Sequence, residues 1–263
     1  MKIPLYQLDA FTSKPLAGNP AAVCPLETWL DDATMQAIAA ENNLSETAFF
    51  VPEDEGFHLR WFTPAMEVAL CGHATLATAW VIFHRFDWQL PSIDFRTRSG
   101  TLTVALEGGD RLALDLPSQP ATPAAADPAL AAALGAPPQE HLVAGNGNAL
   151  AVLAGAGEVR ALRPDFALIA RLDALGVIAT APGAGGVDFV SRYFVPRAGI
   201  NEDPVTGSAH GTLTPYWARR LGKKSLHALQ VSPRGGELWC EDRGERTIVA
   251  GHCVPVIEGT ISI

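Results

Sequence analysis

The chain repeats itself in order, and no other feature restricts its fold as much. Ala17-Gly18-Asn19-Pro20 is answered by Ala144-Gly145-Asn146-Gly147, and Arg60-Trp61-Phe62-Thr63-Pro64 by Arg192-Tyr193-Phe194-Val195-Pro196. Gly72-His73-Ala74 is answered by Gly207-Ser208-Ala209, and Arg98-Ser99-Gly100-Thr101-Leu102 by Arg234-Gly235-Gly236-Glu237-Leu238. The separation drifts from 127 residues (Gly18 to Gly145) to 136 (Arg98 to Arg234). Chance matches between common dipeptides do not keep their order. Duplication followed by small loop insertions does, and it predicts two similar halves.

Each half reads as an α+β lobe. The segments from Asp32 to Ile38 and from Asp165 to Leu175 each open on an acidic cap and carry apolar residues at helical spacing. Strand-like runs follow at Ala48–Val51 and Val177–Ala181. A helix from His73 to about Arg85 is apolar nearly all round, so its surroundings must cover it, as a curved sheet does. Its counterpart from Ser208 to Leu221 is more polar, with a bend expected near Pro215 and a stop at Gly222. Between the halves, residues 117–140 are rich in Pro and Ala and poor in charge, as in a connector. One short helix is expected there, capped by Asp127, opened by Pro128 and stopped by Gly135. The predicted architecture is two pseudo-symmetric lobes, each a curved β-sheet or barrel wrapped around a central helix. Residues 1–116 with 250–263 form one lobe and 117–249 the other, with an active site expected in the cleft between them.

Composition narrows the partners. The 263 residues carry a net charge of −9 and no Lys/Arg-rich block, which argues against a nucleic-acid partner. A small anion remains a reasonable ligand if a local site supplies positive potential, as a helix N-terminus does. The opening MKIPLYQLDAF lacks the apolar core of a secretory signal, and no run of about 18 apolar residues suggests a membrane span, so a cytoplasmic protein is expected. Cys24, Cys71, Cys240 and Cys253 form no CxxC pair; their spacing implies neither a zinc site nor a disulfide framework.

The chemistry is expected at the two long helix starts, Gly72-His73 and Gly207-Ser208. Glycine admits a ligand close to the backbone, and first-turn N–H groups favour a carboxylate. The differences between the halves carry more information. Glu46 stands where the second half has the acid-free region near Gly176. Asp203 stands where the first half has about Val68, and His73 is replaced by Ser208. Each has an ordinary structural explanation: a solvated strand-end acid for Glu46, an early N-cap for Asp203, a cap for Ser208, a satisfied core histidine for His73. As a set they suit proton transfer. A partly buried carboxylate with a raised pKa moves the proton, and neighbouring polar groups hold the substrate and its developing charge.

Four stretches together resemble the PhzF-like phenazine-biosynthesis isomerase family: Asp9-Ala10-Phe11-Thr12 through Gly18-Asn19-Pro20-Ala21-Ala22-Val23, Asn43-Leu44-Ser45-Glu46-Thr47-Ala48-Phe49, Cys71-Gly72-His73-Ala74-Thr75, and Glu202-Asp203-Pro204-Val205-Thr206-Gly207-Ser208-Ala209. The resemblance implies a diaminopimelate-epimerase-like fold and a homodimer. It implies Glu46 as the general acid/base that moves a proton within trans-2,3-dihydro-3-hydroxyanthranilate without a cofactor. His73 and Asp203 would orient the substrate and assist. Ser208, with Gly207 and Gly72, would bind its carboxylate, Asn19 would line the site, and Cys71 would either line it or serve as a buried small hydrophobe. The wider superfamily includes racemases and epimerases that use two thiols as opposing acid and base. Here Cys71 holds the first thiol position, but Thr206 occupies the second, and a hydroxyl is too weak an acid for that role. The alternatives are a two-base amino-acid racemase or epimerase and a small-carboxylate binding protein without turnover. No metal is expected.

Overall fold

A computed structural model describes all residues from Met1 to Ile263. The chain forms two compact units, Met1–Asp115 with Ala250–Ile263, and Leu116–Val249.

In the first unit, β1 (Lys2–Ala10) pairs antiparallel with β2 (Asn19–Pro25) on one side and with the last strand, β18 (Cys253–Ser262), on the other. Helix α1 (Asp32–Asn42) carries the chain across to β3 (Glu46–Glu53), parallel to β2. A parallel pair cannot be joined by a tight turn, so a crossover of this kind is required. Strand β4 (Gly56–Phe62) returns antiparallel to β3 and pairs with the short β5 (Glu67–Val68). The central helix α2 (Gly72–Arg85) then leads to β6 (Ser92–Thr97), parallel to β4, and on to β7 (Gly100–Glu107) and β8 (Arg111–Pro117). Every residue of α2 from Gly72 to Ile82 is buried, and the helix packs against β1, β2 and β3. Its two buried threonines are satisfied within the helix. The Thr75 hydroxyl donates to the Cys71 carbonyl at 2.6 Å, and that of Thr78 to Ala74 at 2.7 Å.

The second unit opens with β9 (Ala121–Pro123), α3 (Pro128–Leu134), β10 (Glu140–Ala144) and β11 (Ala149–Val152). Two short helices, α4 (Ala156–Ala161) and α5 (Phe166–Ile169), cross to β12 (Val177–Pro182), parallel to β11. Strand β13 (Phe189–Val195) pairs with β12 and with β14 (Ile200–Asp203). The central helix α6 (Gly207–Leu221) leads to β15 (Ser225–Gln230), parallel to β13, then to β16 (Gly236–Asp242) and β17 (Arg246–Gly251). From β2 to β7 and from β11 to β16, the order and sense of pairing are the same. The α+β architecture predicted from the repeat is the observed one.

Strand register makes the repeat exact to the residue. Phe62 pairs with Thr47 and Glu67; Phe194 pairs with Val177 and Glu202. The matched arginines carry the same ion pair. Arg60 Nε and Nη2 donate to the two Glu67 oxygens at 2.8 and 2.9 Å, and Arg192 Nε and Nη2 to those of Glu202 at 2.7 and 2.8 Å. Each guanidinium also lies over the matched phenylalanine, Phe62 at 5.2 Å and Phe194 at 4.9 Å.

Three local expectations need adjustment. The cap of α1 is Asp31, whose carboxylate accepts from the Thr34 N–H at 2.9 Å; Asp32 is the first helical residue. The helix expected from Asp165 to Leu175 is only one turn long. Asp165 does cap it, but the Leu175 N–H turns away to the Gly147 carbonyl at 2.9 Å. The Pro/Ala stretch 117–140 is folded into the second unit. β9 pairs with β10, and Leu130, Ala133 and Leu134 join a core with Val177, Ala179 and Phe194. Most of the stretch is nonetheless exposed; only Ala121, Leu130, Ala133 and Leu134 are buried. The expected small helix is there, with Asp127 as cap and Gly135 at φ 73°.

Helix α6, the more polar of the two central helices, buries His210, Thr212 and Thr214 fully. Pro215 removes the N–H that would bond the Gly211 carbonyl. The backbone N–H of Gln119 takes its place at 2.9 Å. Residue 211 has to be small for this, because a Cβ there would lie 3.2 Å from the Pro117 carbonyl oxygen.

Candidate active site

In the first unit, four predicted residues meet at the start of α2. Asn19 is positioned by the loop before it. The buried Asp9 carboxylate accepts from the Leu16 N–H at 2.7 Å, and Gly18 turns at φ 62°, where a Cβ would lie 2.2 Å from the Ala10 carbonyl oxygen. Glu46 opens β3 in register with Ala21 of the adjacent strand. The turn before it is set by Asn43, left-handed at φ 49°, and by the Asn42 amide donating to the Thr47 hydroxyl at 3.1 Å. Cys71 is the N-cap residue of α2, followed by Gly72 and His73.

The His73 ring joins them. Its Nε2 lies 3.2 Å from Glu46 Oε2, and its Nδ1 lies 3.2 Å from Asn19 Nδ2 and 3.5 Å from Cys71 Sγ. The Asn19 amide and the Cys71 thiol both lie against Nδ1, the ring nitrogen away from Glu46. Burial pushes the His73 pKa down to about 3, against a smaller opposing effect of the Pro20 carbonyl. At neutral pH the ring is uncharged, so the 3.2 Å approach of its Nε2 to Glu46 is not an ion pair. The side chains of Glu46 and His73 are 18% and 5% exposed, so the carboxylate is the member of the pair that a ligand reaches. Burial pushes the Cys24 and Cys240 thiols up to about 12 and raises Cys253 as well.

In the second unit, Asp203, Gly207 and Ser208 gather at the start of α6. Asp203 and Gly207 are buried and Ser208 is half-buried. Asp203 ends β14, and its Oδ2 accepts a hydrogen bond from the Thr206 hydroxyl. Thr206 is the N-cap residue, at the position of Cys71, and its hydroxyl is spent on Asp203. Gln230 was not singled out in the sequence, yet it ties this turn together. Its Oε1 accepts from the Thr206 N–H at 2.9 Å, and its Nε2 donates to the Asp203 carbonyl at 2.8 Å and to Thr206 Oγ1 at 3.2 Å. The only hint in the sequence is an amide inside the apolar run Ala228-Leu229-Gln230-Val231. Tyr193 lies close enough to feel the Asp203 charge. Burial first, and then that charge, raise its pKa, while its hydroxyl donates to Asn148 at 3.0 Å.

Register shows what each side chain replaces. Glu46 corresponds to Gly176, where a Cβ would lie 2.7 Å from the Tyr193 hydroxyl and 2.9 Å from the Phe194 carbonyl oxygen. Tyr193 thus fills in the second unit the space that a side chain at the Glu46 position would need. Asp203 corresponds to Val68, and Gln230 to Thr97. The acid, its histidine and the Asp203–Gln230 network are each confined to one unit.

Both central helices start without a side-chain cap. Helices α1, α3 and α5 are capped by the side chains of Asp31, Asp127 and Asp165, whereas neither Cys71 nor Thr206 caps its helix with a side-chain hydrogen bond. A first turn not occupied by its own cap residue suits an incoming carboxylate. No helix is long and apolar enough to cross a membrane.

The chain is similar to known proteins over its whole length. A family model described as phenazine biosynthesis-like protein matches residues 8–259. An uncharacterized isomerase of Pseudomonas aeruginosa is 53% identical, with all of both chains covered. A human phenazine biosynthesis-like domain-containing protein is 40% identical, again over all of both chains. A crystal structure of a phenazine biosynthesis protein of the PhzF family from Enterococcus faecalis has a TM-score of 0.96 and 45% identity, covering 100% of each chain.

Proposed function

Since the chain belongs to the phenazine biosynthesis-like (PhzF) family, we propose that it is an isomerase that moves a proton within a small carboxylated substrate, with Glu46 as general acid/base. The observation that carries this reading is the Glu46 Oε2–His73 Nε2 contact of 3.2 Å beside a central helix whose N-cap side chain is unused for capping. The ionised Glu46 takes a proton from a carbon made acidic by the neighbouring unsaturated or carboxylated system. Electron density moves toward the substrate carboxylate, where first-turn N–H groups of α2 accept the added charge. The protonated Glu46 then returns the proton to another carbon of the same system. Nothing is consumed, so the reaction needs no co-substrate. Neutral His73 lies beside the carboxylate, its Nε2 3.2 Å away, without competing as a charged acid. The reading also gives Asp203 and Ser208 a part in turnover, which Asp203→Asn and Ser208→Ala report as lost kcat/KM.

Trans-2,3-dihydro-3-hydroxyanthranilate is the first substrate to offer, with solvent deuterium incorporation as the readout. Glu46→Gln keeps the shape and removes the base, so turnover and exchange fall by roughly 10²–10⁴-fold. An unchanged rate in that variant removes Glu46 from the mechanism. Exchange on amino acids that depends on Cys71 supports a two-base racemase instead. Tight binding of an aromatic carboxylate with no exchange under any condition supports a binding protein.

A further inference from the structure

We propose that Glu46, Cys71 and His73 form a binding site for Zn²⁺, and that its occupancy switches off the proton transfer assigned to Glu46. The second half of this statement rests on the isomerase reading; the first half does not. Each of the three residues offers one ligand atom, and these atoms lie within 4.8 Å of one another. A carboxylate oxygen, a thiolate sulfur and an imidazole nitrogen are the ligand types a tetrahedral zinc accepts, with an open fourth position for water. Bonds of the usual lengths place neighbouring ligand atoms about 3.5 Å apart in such a site. Cys71 Sγ and His73 Nδ1 are already at 3.5 Å. The remaining adjustment, at most about 1.3 Å on the same tetrahedral geometry, falls to Glu46, the most exposed side chain of the three. The Asn19 amide gives up its contact with Nδ1 if the metal takes that nitrogen.

The donor set also selects among cations. A thiol with an imidazole favours a borderline-soft ion over Mg²⁺ or Ca²⁺, which prefer oxygen ligands throughout. The ligands come from β3 and from the start of α2, which explains why no CxxC or Cys/His spacing announces the site in the sequence. Binding is balanced by one proton: the Cys71 thiol loses it to solvent, while the Glu46 carboxylate and the neutral imidazole bind as they stand. A Glu46 oxygen held by zinc cannot accept a proton from substrate, which is the inhibition.

The test is calorimetric titration of the full chain with ZnCl₂ in two buffers of different ionisation enthalpy, paired with Co²⁺ titration followed in the ultraviolet. One zinc per chain, release of one proton, and a thiolate-to-cobalt charge-transfer band are expected. Cys71→Ser abolishes the band, and Glu46→Gln weakens zinc binding by at least about tenfold while leaving the band in place. Circular dichroism confirms that both variants are folded. No saturable binding at one equivalent, or a charge-transfer band that survives in Cys71→Ser, overturns the site. In the activity arm, deuterium exchange is lost in proportion to zinc occupancy and restored by a chelator; exchange that persists at full occupancy overturns the inhibitory role. A metal-free protein that shows no exchange defeats the isomerase reading alone, and the titrations still decide the site.

Discussion

His210 makes this protein sensitive to acid in a way that one substitution isolates. Its Nδ1 hydrogen-bonds the Thr206 carbonyl at 2.8 Å, and its Nε2 is buried with no hydrogen-bond partner. A proton added at Nε2 would create a buried cation with nothing to accept its N–H. Burial accordingly pushes the pKa from 6.5 down to about 4. The unfolded chain binds that proton near pH 6.5, whereas the folded one refuses it until about pH 4. The associated stability is therefore complete above pH 6.5 and declines as pH falls toward 4. Each pH unit in that window is worth about 1.4 kcal/mol per histidine, so His210 costs about 2 kcal/mol by pH 5. His73, pushed down to about 3, behaves in the same sense and adds a similar amount. Together they remove about 4 kcal/mol from a total that is typically about 5–15 kcal/mol. The assay is urea denaturation at steps from pH 7 to pH 5. His210→Gln keeps a donor for the Thr206 carbonyl and removes the titrating group, so its slope between pH 6 and 5 is shallower than wild type by about 1.4 kcal/mol per pH unit. Equal slopes in the two proteins, or a wild type whose stability is flat from pH 6.5 to 5, would refute the argument.

Two further substitutions bear on the second unit. Gln230→Leu leaves the buried Thr206 N–H and Asp203 carbonyl without this partner, so it lowers unfolding free energy by roughly 2–4 kcal/mol and loosens the turn holding the Asp203 carboxylate. A fall in kcat/KM beyond that of equally destabilised core variants marks it as a positioning residue; equal falls mark it as structural only. The repeated ion pairs differ in reserve: Arg60 has Asp32 as a second carboxylate at 2.9 Å, whereas Arg192 otherwise has only the Val159 and Leu162 carbonyls at 3.3 and 3.0 Å. Glu202→Gln therefore costs roughly 3–5 kcal/mol in chemical denaturation and Glu67→Gln measurably less, since an unpaired buried cation is the expensive outcome; the reverse order contradicts this account.

The fold was readable where the sequence repeats a physical requirement. Arg60 and Arg192 each need a carboxylate on the adjoining strand, and both halves keep the motif that provides it. Asp127, Pro128 and Gly135 bound α3 because each has one favourable place at a helix end. The helix expected after Asp165 stops at Ile169, and further on the Leu175 N–H goes to the Gly147 carbonyl, a distant partner that no local pattern encodes. The apparent connector at 117–140 is part of the second unit, because Pro and Ala report low charge without distinguishing a free link from one anchored by a strand and a few buried side chains. Glu46 and His73 could be picked out because the second half lacks them. Their meeting with Asn19 and Cys71 around one imidazole depends on strand register, as does the place of Gln230, whose role follows from pairing with Ser191.

The pairing of β1 with β18, from Lys2 with Ser262 to Ala10 with Cys253, has a consequence for synthesis on the ribosome. The second unit is a continuous stretch ending at Val249, so all of it is available before the first unit receives its last strand. Until then the nascent first unit displays one edge of β1 as a row of unanswered backbone groups, a template for any other emerging strand. At ordinary elongation rates, that exposure lasts on the order of ten seconds. The half that is made first is thus the half completed last, and the interval is when a chaperone has most to protect.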